Sequence, residues 1–197
     1  MGKKKKQKST ERHAYGITVL KSADARVRKL KSQYEPNIHG NKVWNSSLTI
    51  IDFLSRYNLQ NIKTIVDVGC GWGLVLAYLQ KQGFDCGGID IDESMQDYVD
   101  VVNQINNTDV EVIYMDYTEL PKKAFEQIDL VIGCDICYWE NHIDNIVQLI
   151  HKAKSPVLIA DPGRDTFWEL TEKVEGNLHV VKLNKPRKVH GYVYEIL

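Results

Sequence analysis

A glycine-rich turn is the first candidate for chemistry in this chain. The stretch "IVDVGCGWG", residues 65–73, is an apolar run broken by Asp67 and followed by Gly69, Gly71 and Gly73 at alternate positions. Glycine at these positions lets a ligand approach the backbone closely, and a helix that starts after the turn offers N–H groups without intrahelical partners. The turn therefore predicts a ligand site directly after a strand.

A carboxylate follows at the spacing that nucleotide-binding folds use. The segment "GGIDID" ends a second strand-like run, and its Asp90 lies 21 residues after Gly69. An acid at this place can accept hydrogen bonds from the hydroxyls of a ribose. The two features together predict a ligand that contains a ribose and lies against the backbone.

Two common nucleotide motifs do not match this turn. The dinucleotide pattern G-x-G-x-x-G requires glycine at its sixth position, where this chain has Leu74. The P-loop requires Gly-Lys followed by Ser or Thr, and the turn lacks that triplet. The sequence therefore argues against both pyrophosphate-binding forms of the turn.

The elements that must position these residues alternate along the chain. Strand patterns alternate with helix patterns, and the strands fall at residues 64–68, 84–90, 110–116, 128–135 and 156–161. This alternation predicts a parallel sheet with helices on both faces. Two last strands, at 178–183 and 189–197, have a short connection and should pair antiparallel. The predicted fold is α/β, a doubly wound and mostly parallel seven-stranded sheet with a C-terminal antiparallel hairpin.

The chain before residue 61 has a different character. Residues 1–15 are Lys-rich and polar without apolar periodicity, which predicts a disordered basic tail. Residues 16–60 contain two helix patterns, at 22–34 and 47–59, and are predicted to form an N-terminal helical segment that packs on the core. Residues 61–197 are predicted to form the ligand-binding domain.

The order of these motifs resembles the class I S-adenosylmethionine-dependent methyltransferases. The resemblance rests on "VDVGCGWG", "GIDID" and "VIYMDY" in succession, and it covers residues 40 to about 165. A finer likeness, to the protein lysine and histidine methyltransferases of this seven-strand group, rests on "HGNKVWNSS" and on the Asp-x-x-Tyr element in "CDICYW". The resemblance implies a Rossmann-like methyltransferase domain over residues 61–197, S-adenosylmethionine as cofactor, and N-methylation of a lysine or histidine side chain.

The resemblance also implies a role for individual residues. Asp116 would bind the adenine amino group with Tyr117 beside it, and Trp44 would cover the cofactor near the mouth of the site. Asp135 and Tyr138 would face the methyl group and orient the nucleophile, so they are the candidate catalytic pair. The implied cofactor-binding residues are Trp44, Asp67, Gly69, Gly71, Gly73, Asp90, Asp116, Tyr117 and Asp135. Among them, Asp67 would hold the loop and the amino group of the methionine part.

Composition and charge limit the class of protein and its partners. The 197 residues, 43% of them hydrophobic, are typical of one soluble globular domain. Residues 1–31 hold 11 Lys or Arg and 2 Asp or Glu, a net charge of +9, whereas the remainder carries −10. No apolar run is long enough to span a bilayer, and "MGKKKKQKST" lacks the apolar core of a signal peptide. We therefore expect a cytoplasmic protein with reduced cysteines and no membrane partner.

The sequence leaves the substrate open. The Asp-x-x-Tyr element favours a protein substrate, whereas the basic tail favours RNA, because lysine clusters attract phosphates. A small-molecule methyltransferase and a non-catalytic Rossmann-like binding module are also compatible with the sequence. Cys134 and Cys137 form a C-x-x-C, but a zinc site usually requires a second pair of ligands, so no metal is expected.

Overall fold

The structure, a computed structural model, describes residues 9–33 and 42–197. The strands are β1 (Glu11–Ala14), β2 (Ile17–Leu20), β3 (Thr64–Val68), β4 (Asp85–Asp90), β5 (Glu111–Tyr114), β6 (Leu130–Cys134), β7 (Val157–Asp161), β8 (Asn177–Leu183) and β9 (Val189–Ile196). The α-helices are α1 (Ala25–Gln33), α2 (Asn45–Leu54), α3 (Leu74–Lys81), α4 (Gln96–Asn106), α5 (Ile143–Lys152) and α6 (Asp165–Lys173). Short 3₁₀ turns occupy Glu93–Met95, Tyr117–Glu119, Lys122–Phe125 and Glu140–His142.

The main sheet has seven strands in the order β5-β4-β3-β6-β7-β9-β8. Strands β3 to β7 pair in parallel, whereas β9 is antiparallel to both β7 and β8. The predicted doubly wound sheet with a C-terminal antiparallel hairpin is confirmed. The chain builds outward from β3 on one side and from β6 on the other, so the strand order reverses between these two strands. In an open α/β sheet, ligands bind beyond the carboxyl ends of the strands at that reversal.

The central strands are buried on both faces, which explains their unbroken apolar runs. Leu130 and Val131 of β6 and Leu158 and Ile159 of β7 have no exposed surface. Because neighbouring side chains of a strand point to opposite faces, this burial requires cover on both sides of the sheet. Such strands hold the loops at their carboxyl ends on a rigid base.

Helices supply that cover. Ile51 of α2 and Leu79 of α3 belong to one buried apolar cluster together with Leu158. Ile146 of α5 and Phe167 of α6 belong to the second cluster, on the opposite face. The two clusters place α2 and α3 on one side of the sheet and α5 and α6 on the other, which confirms the predicted cover of both faces by helices.

The N-terminal segment differs from the prediction. Strands β1 and β2 pair as an antiparallel hairpin, where we predicted a disordered tail through residue 15 and a helical segment from residue 16. Tyr15 and Gly16 form its two-residue turn with φ of 54° and 77°, the positive values that such hairpins use. The prediction was wrong here because Tyr-Gly is a weaker turn signal than Asn-Gly and the first strand is polar. Residues 1–8 of the predicted tail lie outside the described residues.

Packing against α4 holds the hairpin in place. Ile17 is 2% exposed, and the backbone of Thr18 pairs with the buried side chain of Asn106. Oδ1 of Asn106 accepts the Thr18 N–H at 2.7 Å, and its Nδ2 donates to the Thr18 carbonyl at 3.1 Å and to the Val102 carbonyl at 3.0 Å. The side-chain amide of Asn106 thus provides hydrogen-bond partners for both the N–H and the carbonyl of Thr18 at the edge of β2.

Asn106→Ala should lower the free energy of unfolding by about 2 kcal/mol, because it leaves the backbone groups of Thr18 without protein partners. Hydrogen exchange at the amides of β2 should quicken, while exchange in β3 stays slow. Asn58→Ala is the control, since the Asn58 side chain makes a local contact with the Gln60 amide in an exposed loop. Unchanged exchange in β2 would show that Asn106 does not dock the hairpin.

None of the described helices is long and apolar enough to cross a bilayer. The cytoplasmic location stays a prediction, as does the division of the chain at residue 61. Helix α1 falls inside the helix predicted over residues 22–34, and α2 overlaps the one predicted over 47–59.

Candidate active site

A cavity of about 240 Å³ opens at the carboxyl ends of β3, β4, β5 and β6, where the strand order reverses. The turn after β3, the residues that follow β4, β5 and β6, and the segment before α2 form its walls. The predicted site residues that line it are Trp44, Asp67, Gly69, Gly71, Asp90, Asp116, Tyr117, Asp135 and Tyr138. The structure therefore brings together residues that lie up to 94 positions apart in the chain.

The glycine turn forms one wall of the cavity. Gly69 and Gly71 have φ of 70° and 53°, a left-handed conformation that glycine adopts without strain. A Cβ atom on Gly71 would meet nothing within 4 Å, so its backbone faces open space. Gly73 does not line the cavity, and a Cβ there would contact Val110 and Val99 at 3.5 to 3.8 Å. Gly73 turns the chain into α3, and its contact with the cofactor stays a prediction.

Asp90 holds the glycine turn in shape. Its Oδ2 accepts the Gly71 N–H at 2.7 Å, and its Oδ1 accepts the Asp92 N–H at 3.0 Å. Burial raises the pKa of Asp90, although these backbone hydrogen bonds oppose the rise. Each carboxylate oxygen has a second lone pair, so the group can still accept from a ligand. The sequence predicted that Asp90 binds a ligand, but it did not predict that Asp90 also fixes the glycine turn through hydrogen bonds.

Asp67 is the most deeply buried charged group of the cavity wall. It is 1% exposed, and neither of its side-chain oxygens has a hydrogen-bond partner among the described residues. The prediction that Asp67 holds the loop is therefore corrected for the described part of the chain. Burial, and then the charge of Asp90, raise the pKa of Asp67 well above its ordinary value. A buried carboxylate without a partner is costly, and a cationic ligand group would relieve that cost.

Asp116 and Tyr117 lie at the opposite end of the cavity, after β5. Oδ1 of Asp116 accepts the Thr118 N–H at 2.8 Å and the Thr118 hydroxyl at 2.7 Å, which caps the 3₁₀ turn over Tyr117–Glu119. Burial raises the pKa of Tyr117 to about 12. The cap fixes the direction of both side chains at the cavity wall.

Asp135 follows β6 in an unusual conformation. Its φ of 59° is left-handed, which is uncommon for a residue with a side chain, and its N–H donates to the Ala160 carbonyl at 2.8 Å. Oδ1 accepts from Arg164 at 2.6 Å. Oδ2 is buried and has no hydrogen-bond partner among the residues that the structure describes. The side chain is 7% exposed, so this oxygen is a buried acceptor without a donor among the described residues.

Known proteins share this arrangement of strands. A family described as a methyltransferase domain matches residues 65–156. A protein of Geobacillus sp. (strain WCH70) named as a methyltransferase is 35% identical over 83 residues, which are 42% of this chain and 33% of that protein. A ubiquinone biosynthesis O-methyltransferase of Rickettsia typhi is 32% identical over 95 residues, 48% of this chain and 37% of that protein. The chain spans about a third of the length of each relative.

A solved structure extends the likeness to most of the chain. Magnesium protoporphyrin IX methyltransferase from Synechocystis PCC 6803, with S-adenosylmethionine bound, superposes with a TM-score of 0.58 at 16% identity. The match covers 86% of this chain and 88% of that one. This chain has the class I methyltransferase fold. The prediction of a methyltransferase is confirmed at the level of the fold, and the solved structure that shares this fold holds S-adenosylmethionine, the predicted cofactor.

One side chain of this methyltransferase fold that contacts the predicted catalytic pair was missed by the sequence analysis. Arg164 follows β7, pairs with Asp135 and Asp161, and lies with its guanidinium carbon 5.0 Å from the ring centroid of Tyr138. Burial by itself would lower the pKa of Arg164, but the charges of Asp161 and Asp135 outweigh it and raise the pKa. The signal was present in "IADPGR", whose arginine lies three residues after the carboxyl end of a strand.

Aromatic side chains surround the mouth of the methyltransferase cavity. Tyr138 contacts Trp44 edge-on at 6.2 Å between ring centroids and Trp139 at 5.0 Å. Trp139 is 45% exposed, so it does not have the buried position of a core residue. Trp72 is 5% exposed and stacks on Tyr98 at 4.6 Å, which places it in the wall as packing beside the glycine turn.

In the part of the chain that the structure describes, no feature indicates a reactive cysteine or a metal site. The cysteines there are free, and burial raises the pKa values of Cys134 and Cys137 above the ordinary value. Thiols in this state are poor nucleophiles and poor metal ligands. Over residues 9–33 and 42–197, no group of three or more His, Cys, Asp or Glu could hold a metal ion.

Proposed function

We propose that this chain is an S-adenosylmethionine-dependent methyltransferase that methylates a nitrogen atom of a protein side chain, that of a lysine or a histidine. The observation that carries the proposal is the buried Oδ2 of Asp135, which lacks a hydrogen-bond partner among the described residues at the cavity of a methyltransferase fold. A buried acceptor in this state is expected to receive a donor from the substrate.

The residues around the cavity fit S-adenosylmethionine. Asp67 offers a buried carboxylate to the ammonium of the methionine part, and the backbone at Gly71 leaves room for its chain. Asp90 would accept from the ribose hydroxyls and Asp116 from the adenine amino group, each through lone pairs that its backbone contacts leave available. When bound, the cofactor supplies a methyl group on a positively charged sulfur, which a nucleophile displaces in line.

Asp135 and Tyr138 would orient the nucleophile. An amine can donate one N–H to Oδ2 of Asp135 while its lone pair points into the cavity, so one contact sets both position and direction. The hydroxyl of Tyr138, three residues later on the same loop, would receive the second N–H. A protonated lysine must first lose a proton, and a carboxylate within hydrogen-bond reach assists that loss.

The surroundings of Asp135 favour an amine over an anionic acceptor. Two carboxylates, those of Asp135 and Asp161, face the guanidinium of Arg164. The rings of Tyr138 and Trp44 already contact cations: Arg164 lies 5.0 Å and 5.7 Å from their centroids, and the ammonium of Lys42 lies 3.9 Å from that of Trp44. An ammonium group would therefore be attracted by the acidic pair, whose two negative charges exceed the single positive charge of Arg164.

A small-molecule O-methyltransferase is the second candidate. The names of the relatives favour it, since one is named for ubiquinone biosynthesis and the solved structure is a magnesium protoporphyrin IX methyltransferase. A hydroxyl acceptor would donate its proton to the same oxygen of Asp135. RNA as substrate rests on the Lys-rich residues 1–8, which lie outside the described residues, and a non-catalytic module would bind the cofactor without transferring its methyl group.

Two measurements test the proposed function. Calorimetry should show binding of S-adenosylhomocysteine in the micromolar range and no binding of NAD. Tritiated S-adenosylmethionine should label peptides centred on lysine or histidine in an array, with glutamine-centred peptides as control. Labelling of a quinol or of RNA alone would reject the protein substrate, cofactor binding without any transfer would support the non-catalytic module, and binding of NAD alone would reject the methyltransferase.

A further inference from the structure

Arg164 connects the ends of two strands that carry the site. Its Nη2 donates to Oδ1 of Asp135 after β6 at 2.6 Å, and its Nη1 donates to Oδ2 of Asp161 at the end of β7 at 2.5 Å. A planar guanidinium presents these two donors in a fixed fork, whereas an ammonium is a point charge. The geometry therefore suits arginine and not lysine.

Asp161 is the buried carboxylate that anchors the Arg164 side chain. It has no exposed surface, and its Oδ1 accepts the N–H of Gly163 at 2.8 Å and of Arg164 at 2.9 Å. These bonds lock the turn between β7 and α6, so the guanidinium starts from a defined backbone position. Burial raises the pKa of Asp161, while the hydrogen bonds and the charge of Arg164 oppose the rise.

Asp135 is the side chain that needs to be held. A left-handed backbone at a residue other than glycine costs free energy and persists only where the surroundings determine it. Oδ1 accepts from Arg164, so Oδ2 is the oxygen of this carboxylate that has no donor among the described residues. If Oδ1 were released, the carboxylate could rotate about its side-chain bonds, and neither oxygen would be held in a fixed direction.

The same guanidinium also touches the aromatic side chains at the mouth. Its central carbon lies 5.0 Å from the ring centroid of Tyr138 and 5.7 Å from that of Trp44. Arg164 also lines a second, open cavity of about 530 Å³ beyond Tyr138 and Trp139. One side chain therefore contacts both members of the candidate catalytic pair and stands where an acceptor would arrive.

We propose that Arg164 is the positioning residue of the acceptor site: held by Asp161, it fixes the orientation of the Asp135 carboxylate toward the nucleophile and supports the ring of Tyr138. The proposal rests on the proposed function, because it assigns Arg164 a role in the transfer that Asp135 and Tyr138 perform. Arg164 itself transfers no proton and binds no part of the cofactor.

The test compares Arg164→Ala, Arg164→Lys and the control Arg56→Ala, whose side chain is 68% exposed and pairs with Asp52 on the surface of α2 and its following turn. With the best-labelled peptide of the array, Arg164→Ala should lower kcat about 10²-fold, the effect of misplacing a reacting group by about 1 Å. Its affinity for S-adenosylhomocysteine should stay within about threefold of wild type, because Arg164 does not line the cofactor cavity. Added guanidinium at a concentration too low to denature should restore part of the rate.

A measurement without substrate gives the independent answer. Hydrogen exchange at the amides of residues 135–138 should quicken about tenfold or more in Arg164→Ala, while exchange in β6 and in α2 stays as in wild type. Arg164→Lys should keep the charge, restore little of the rate and leave the loop loosened, because an ammonium does not reproduce the fork.

Three results would overturn the assignment. Wild-type exchange at residues 135–138 in Arg164→Ala would reject the hold on Asp135, whatever the activity. An unchanged kcat would reject the role in transfer while leaving the proposed function intact. Full activity of Arg164→Lys would reduce Arg164 to a simple counter-charge. If wild type transfers no methyl group to any acceptor, the proposed function fails, and the exchange measurement still decides whether Arg164 holds the loop.

Discussion

Tyr138→Phe should lower the rate of methyl transfer about 10²-fold while the affinity for S-adenosylhomocysteine stays unchanged. The size is that of a positioned acid–base group acting on a nucleophile. Tyr138 lies on the loop after β6 and lines the cavity, and in the proposed function its hydroxyl acts on the acceptor rather than on the cofactor. The measurements are kcat on the labelled peptide and calorimetry with S-adenosylhomocysteine.

The matched control is Tyr57→Phe. The Tyr57 hydroxyl donates to Glu195 at 2.6 Å and does not line the cavity, so its loss should leave the transfer rate unchanged. Asp135→Asn should behave like Tyr138→Phe, because the amide keeps the size of the side chain and loses the charge that Arg164 and the amine both require. Full activity of Tyr138→Phe on the true substrate would remove Tyr138 from the catalytic pair and would leave the methyltransferase proposal standing.

Asp67→Asn should weaken the binding of S-adenosylhomocysteine about 10- to 150-fold and make the unliganded protein more stable. The first effect follows because a hydrogen bond to a charged group contributes about 1.5–3 kcal/mol, and the amide cannot replace a carboxylate opposite an ammonium. The second follows because Asp67 is buried without a protein partner among the described residues, so its charge opposes folding. Calorimetry and thermal unfolding measure the two effects.

The raised pKa of Asp67 determines how the stability of the protein and its affinity for a ligand change with pH. Because the pKa of Asp67 is raised in the folded state, the unfolded chain loses this proton first, and the contribution of Asp67 to stability falls as pH rises above its ordinary pKa. Affinity for a ligand ammonium should instead rise with pH, and binding should release protons into the buffer. The stability gain of Asp67→Asn should therefore grow with pH.

Asp129→Asn is the control, because it should change the stability of the protein in the opposite direction to Asp67→Asn. Backbone hydrogen bonds from Thr64 and Lys63 lower the pKa of Asp129, so its charge supports folding at neutral pH and is lost as pH falls. The variant should be less stable than wild type and bind S-adenosylhomocysteine normally. If Asp67→Asn instead loses stability and keeps its affinity, the side chain supports the fold and not the cofactor.

Much of the fold was predictable because its signals are local. The strands β3, β6 and β7 are apolar runs, so their own composition predicts that they are buried. Because helices lie between these strands along the chain, the strands are expected to pair in parallel. Turn chemistry placed Gly69 and Gly71 at a strand end, and the next strand end placed Asp90 on the same edge. Since the carboxyl ends of parallel strands share one edge, the cavity could be predicted without coordinates.

The errors arose where a residue's role depends on what lies beside it in space. The hairpin of β1 and β2 is stable because Asn106, 88 positions after Thr18, satisfies a strand edge. Gly73 has the same left-handed backbone as Gly71, yet one faces the core and the other the cavity. The direction of a glycine cannot be read from its spacing, because a turn reverses the chain within one or two residues.

The order of strands and helices from β3 onward, the glycine turn and the carboxylates at the strand ends can all be read from the amino-acid sequence, since each depends on residues within one element. Which of those carboxylates are available to a ligand depends on how the whole chain packs. Asp90 accepts a hydrogen bond from the glycine turn, and Asp135 accepts one from Arg164 through one of its two oxygens. Asp67 has no hydrogen-bond partner among the described residues. These differences depend on burial and on donors from other strands, because a carboxylate's hydrogen bonds are set by the groups that packing brings within about 3 Å.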